Sequence, residues 1–137
     1  MEVNKCFNYR RKLMKREIKF KAKRLDGKRW VEGSLIRSTT GIKERAYIVD
    51  NFSSMSDYSV IGIDHSTICQ FTGLKDKNGT PIYEGDIVIY KDNNAERRGA
   101  IVWDNESIAF CFEKGFFLCH FPSKNMVVVG NKFDKNK

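Results

Sequence analysis

The sequence predicts a single all-β domain, built of β-hairpins arranged as a barrel-like or packed meander. Three observations predict it. Apolar and polar residues alternate over several stretches, which is the period of a strand with one buried face. Turn signals stand between those stretches, at Asp26-Gly27, Asn78-Gly79 and Lys114-Gly115. The chain has 137 residues, enough for one core, whereas two halves would each have a marginal one.

The first strand candidate runs from Glu17 to Leu25, where Ile18, Phe20 and Ala22 alternate with Lys19, Lys21 and Lys23. With Asp26-Gly27 as a two-residue loop it pairs with Lys28 to Arg37. Ala22 then meets Val31, Phe20 meets Gly33 and Ile18 meets Leu35, six residues on one face, which is expected to be buried. The opposite face, expected in solvent, collects Lys19, Lys21, Lys23, Trp30, Glu32 and Ser34. Ser38 to Lys43 reads as a loop. Ala46 to Val49 and Tyr58 to Ile63 are short strands separated by the polar segment Asn51 to Asp57, and Gln70 to Leu74 is another. Lys75 to Gly79 is turn chemistry, and Ile82 to Tyr90 is apolar and β-branched around a break at Gly85. Lys91 to Arg98 reads as a polar hairpin loop, followed by strands at Ala100 to Trp103 and Ser107 to Phe112. A hairpin at Lys114-Gly115 would set Phe112 against Phe117, Phe110 against Cys119 and Ile108 against Phe121, an aromatic layer. Met126 to Val129 is the last strand and residues 134–137 a polar tail. The one place for a helix is around Tyr9 to Lys15, where no good apolar stripe supports it.

Charge is unevenly spread. Lys and Arg number 25 against 17 Asp and Glu, for a net charge of +8. Residues 1–30 hold 12 basic and 3 acidic side chains, whereas the rest is nearly balanced. Such asymmetry suggests a face that meets an anion, nucleic acid being the commonest, although charge blocks often only solubilise. No stretch approaches the roughly 18 apolar residues of a membrane span, and the N-terminus lacks the apolar core of a secretory signal. A cytosolic protein with no membrane partner is expected. The cysteines Cys6, Cys69, Cys111 and Cys119 should then be free thiols. His65 with Cys69, and Cys119 with His120, could supply metal ligands, but no C-x-x-C pair is present and no metal is assigned.

The run Gln70-Phe71-Thr72-Gly73-Leu74-Lys75-Asp76-Lys77-Asn78-Gly79-Thr80-Pro81-Ile82-Tyr83-Glu84-Gly85-Asp86-Ile87-Val88 resembles the signature of the YopX family, small proteins encoded by bacteriophages and prophages. Met14 to Ala22, Lys28 to Ile36, Gly99 to Trp103 and Val128 to Asn131 are similar to other family segments. The resemblance covers Met14 to about Phe133, so the domain is placed at 14–133, with 1–13 as an extension expected to be dispensable for folding. Cys69 stands where the family commonly has a glycine. The resemblance implies an all-β fold, a phage origin and a bacterial host cell. It implies no catalytic residue and no cofactor. Within the signature, Gly73, Gly79 and Gly85 supply permissive backbone, Asp86 can cap local amides, and Ile82, Ile87 and Val88 feed the core. Phe71, Thr72, Leu74 and Asp76 read as structural too, which leaves Tyr83 and Glu84 as possible surface groups.

Three functions remain. The first is a non-enzymatic interaction protein that binds a host or phage protein, or itself. The second is a nucleic-acid-binding module using Lys19, Lys21, Lys23, Arg24, Arg29 and Trp30, with Arg16 extending the charge and Trp30 as a stacking platform. The third is an enzyme of unknown type. For that reading the sequence offers His65 beside Asp64, and His120, but no nucleophile–base pattern, phosphate loop or metalloprotease motif.

Overall fold

The computed structural model describes residues 17–27, 29–38 and 44–134. The 1–13 extension, the helix expected around Tyr9 to Lys15, Arg16, most of the loop after Ser38 and the end of the polar tail lie outside them. Among the described residues ten strands follow in chain order: β1 (Phe20–Lys23), β2 (Trp30–Ser38), β3 (Arg45–Ser54), β4 (Asp57–Gly62), β5 (Cys69–Lys75), β6 (Pro81–Tyr83), β7 (Asp86–Asp92), β8 (Ala95–Asp104), β9 (Ala109–Phe112) and β10 (Val127–Asn131). They form two antiparallel sheets, one in the order β4-β3-β2-β1-β5-β6 and the other β10-β7-β8-β9. The fold is all-β, and neither sheet closes into a barrel.

The first hairpin has the register that its alternation dictates, with Phe20 opposite Gly33 and Ala22 opposite Val31. Gly27 takes φ +78° in its turn. One face does enter a core: Ala22, Ala46, Ile48 and Ile63 are buried there, with Phe20, Val31, Leu35 and Ile68 packed on them. Ile18 departs from the expectation, because it precedes β1 and is exposed. Gly33 is required by close approach, since a Cβ there would stand 2.2 Å from the Val49 carbonyl oxygen. The first sheet curls until the end of β1 meets the end of β4. Arg24 bridges Ile63, the Leu25 amide donates to the Gly62 carbonyl (3.1 Å), and the Asp64 amide donates to that of Lys23 (2.8 Å).

Three other expectations change. The polar segment from Asn51 is not a spacer: β3 runs on to Ser54 and turns directly into β4. Residues 91–98 are not a loop, because β7 and β8 pair from Ile87–Ala100 out to Asp92–Ala95. Asn93 and Asn94, both at positive φ, make the tight turn between them. The strand expected at Phe116 to Phe121 is absent. One bridge joins Cys111 to Phe117, rather than Phe112 to Phe117, and the chain then enters a 3₁₀ turn at Leu118–His120. Aromatic packing survives without the strand. Phe112 stacks on Tyr90 at 3.9 Å between ring centres, and Phe121 meets both edge-on. With Ile82, Val88, Ile101, Leu118 and Met126 these rings form the second sheet's core.

Candidate functional site

The family-like signature lies where the two sheets meet. β6 ends at Tyr83, Glu84-Gly85 turns the chain, and β7 starts at Asp86 in the other sheet. Gly85 sits at φ +83° against Cys69, Asn131 and Lys132, a backbone position that favours glycine. The turn buries the Asp86 carboxylate, which is 1 % exposed. It accepts from Lys21 Nζ (2.8 Å), the Tyr83 amide (2.8 Å) and Asn131 Nδ2 (2.9 Å). A buried carboxylate persists only when it is paired and hydrogen-bonded in this way. The Tyr83 hydroxyl donates to Glu32 (2.6 Å), and Lys21 Nζ lies over the rings of Trp30 (4.7 Å) and Tyr83 (4.9 Å). Asp76 holds the preceding turn, accepting from the amides of Asn78, Thr80 and Val128, and those bonds outweigh burial to keep its carboxyl below the usual range. Thr72 Oγ1 donates to the Ile82 carbonyl, and Gly73 and Gly79 take positive φ at exposed positions. Phe71 packs with Tyr83 and Cys69, half-buried Leu74 packs on the second core, and Glu84 accepts from the Gln70 amide at 3.4 Å.

This geometry corrects the expected solvent face of the first hairpin. The side chains of Lys19, Lys21 and Lys23 are only 17–18 % exposed. Lys19 pairs with Glu17 and lies over Phe71, Lys21 pairs with Asp86, and Lys23 pairs with Asp134. Trp30 is half-buried and donates from Nε1 to Asp134 (2.8 Å). Asp134, the first residue of the polar tail, is therefore tied to the domain. Burial opposes its charge, but hydrogen bonds from Trp30 and Lys23 outweigh burial and hold its carboxyl below the usual range. Arg24 is paired with Asp26 at the exposed hairpin tip, and Arg29 is exposed. The six basic and aromatic residues singled out in the sequence do lie close together. Lys19, Lys21, Lys23 and Trp30 are engaged by acidic and aromatic partners within the protein, whereas Arg24 and Arg29 stand at the open tip.

Tyr83 provides a pH test. Burial, then the neighbouring Glu32 carboxylate, push its phenol well above the ordinary range. The neutral phenol is favoured in the folded state, so this contribution is full below the ordinary pKa of about 10 and is lost as pH rises beyond it. Cys69, pushed up to about 11 mainly by burial, acts in the same direction. Urea unfolding at successive alkaline pH values should show a shallower loss of stability for Tyr83→Phe than for the parent chain. Parallel curves would remove Tyr83 from the alkaline response.

The metal candidates do not assemble. Cys69 is buried in β5 with its thiol donating to the Thr67 carbonyl, whereas Cys119 and His120 are exposed in the 3₁₀ turn. No group of three or more possible ligands occurs among the described residues. His65 is exposed beside Glu44, which also pairs with Arg37.

A second surface was not singled out by the sequence. On β2, β3 and β4 the cross-strand rows Ile36–Tyr47–Gly62 and Ser34–Val49–Val60 share one face. It is the same face that carries Trp30 and Glu32 further along β2, but here no second layer lies over it among the described residues. Ile36 and Val60 are each 50 % exposed, and Tyr58, Leu25 and Met55 are exposed nearby. The alternation was legible, but a surface with β-branched residues on both faces gives no sign of which one is left open.

An all-β chain of two antiparallel sheets, joined at a buried aspartate within a glycine-punctuated turn, defines the class. The family model described as YopX protein matches residues 19–137, and the chain belongs to that family. A solved structure, protein EF1440 from Enterococcus faecalis, is similar with a TM-score of 0.50 and 23 % identity. The match covers 84 % of this chain and 92 % of that one, and supports the fold. No curated protein matches the sequence. No helix among the described residues is long and apolar enough to cross a membrane.

Proposed function

We propose that the chain is a non-enzymatic interaction module of phage or prophage origin, acting in the cytoplasm of a bacterial host and binding protein through the outer face and edge of β2–β3–β4. The observation that carries this reading is the open apolar face, on which Ile36, Tyr58 and Val60 are exposed at the end of a sheet. Contiguous exposed apolar surface on a small chain marks a contact site. The basic hairpin supports the nucleic-acid alternative less well, because Lys21 and Lys23 already neutralise Asp86 and Asp134. A photo-crosslinking residue placed at position 60 in the host cell should give a discrete, nuclease-resistant protein adduct. The same residue at position 29 should give none. A nucleic-acid adduct at 29 with no protein adduct at 60 would reverse the assignment.

A further inference from the structure

Strand β4 is the outer strand of its sheet among the described residues. Its last residue, Gly62, and the following Ile63 are covered by Leu25 and Arg24, so the open stretch is Asp57 to Ile61. That stretch reads Asp-Tyr-Ser-Val-Ile. It has no lysine, no proline and one charge, at its end, so it lacks the usual protections of a sheet edge against pairing with another strand. Beside it is a cavity of about 340 Å³ lined by Arg24, Leu25, Asp26, Val60, Ile61 and Gly62.

Resting on the interaction reading above, we propose that the partner is a second copy of this chain, joined antiparallel through β4. The edge is self-complementary in one register. With Ser59 opposite the partner's Ser59, each Tyr58 falls opposite the partner's Val60 on the open face, an aromatic and β-branched cross-strand pair made twice. Leu25, which packs on Gly62 next to Val60, extends the apolar floor under that ring, and the cavity receives it. The same register brings Asp57 opposite the partner's Ile61, toward the end of the strand where the partner's Arg24 lies. Arg24 spends two hydrogen bonds on the exposed Asp26 and has guanidinium donors to spare for a second carboxylate. Asp57 of each β4 thus comes to the end of the other where the Arg24–Asp26 pair lies, with the spare Arg24 donors facing it. Pairing stops where Leu25 and Arg24 cover the strand, which limits the contact to five residues on each side and closes it as a two-fold dimer.

Light scattering on the full chain after gel filtration, over about a hundredfold range of concentration, should give twice the 15.9 kDa chain mass at the upper end. Val60→Lys should weaken dimerisation at least about tenfold while far-ultraviolet circular dichroism stays unchanged. Asp57→Arg should weaken it too, and adding Arg24→Asp should restore it, a rescue that mere destabilisation would not produce. A monomer throughout the range, or a dimer indifferent to Val60→Lys and to the charge exchange, overturns the proposal. A cellular protein adduct at position 60 of some other mass would then sink the dimer and spare the interaction reading, whereas no protein adduct would sink both.

Discussion

Asp86→Ala is expected to lower the unfolding free energy by about 3–5 kcal/mol, because it leaves the Lys21 ammonium in a partly buried site without its counter-charge. Asn131 Nδ2 and the Tyr83 amide lose an acceptor in the same step. Urea unfolding measures the loss, and for a domain of this size it corresponds to a fall in melting temperature on the order of 10 °C. The pair also makes a sharper statement. Lys21→Met should be destabilising in the parent background and much less so beside Asp86→Leu, since removing both charges removes the desolvation cost of each. Additive effects would show that Asp86 acts through the Tyr83 amide and Asn131 and not through Lys21. The lysine row reads in the sequence as a solvent face, and a solvent face would tolerate replacement. The structure reverses that expectation for Lys21, so a charge-removal series aimed at nucleic-acid binding would confuse lost binding with lost folding.

Phe112→Ala is expected to cost about 3–5 kcal/mol, the range for removing a fully buried aromatic ring. Phe112 is 1 % exposed, stacks on Tyr90, and leaves the backbone of β8 no spare room at Gly99, where a Cβ would already touch its ring at 3.4 Å. The ring ties β9 to β7 and to the segment after the 3₁₀ turn, so the cavity left behind has walls in three elements that cannot all collapse. Phe112→Leu should lose noticeably less, because most of the volume stays. A loss below about 1 kcal/mol for the alanine variant would mean that the turn at Leu118–His120 repacks into the gap.

Much of the local structure was legible. Alternation around Asp26-Gly27 determined the first hairpin and its register, because a one-residue slip would have put Lys21 and Lys23 where Ala22 now lies at 0 % exposure. The Asn93-Asn94 turn was also written in the sequence, in two residues that accept positive φ, but the surrounding charges of Lys91 to Arg98 disguised a solvent-exposed hairpin as a loop. The reverse error fell at Phe116 to Phe121. Apolar density there resembled a strand, although the chain needed only to seat Leu118 and Phe121 in the core, and a 3₁₀ turn does that.

Of the candidate site, the sequence determined which residues share a face and where the signature turns, since period and turn chemistry are properties of neighbours. What covers each face was decided only by the tertiary structure. Lys21 meets Asp86 across 65 positions and Trp30 meets Asp134 across 104, separations at which no local pattern carries information. A lysine row beside a tryptophan looks the same in sequence whether its ammonium groups reach water or a buried carboxylate, because the apolar stem and charged head suit either surrounding. The open face on β2–β4 is the complement of the same fact. The C-terminal segment and the signature turn cover one end of the sheet, and among the described residues no second layer covers the other, so identical alternation gives a buried latch at Lys21 and an exposed apolar surface at Val60.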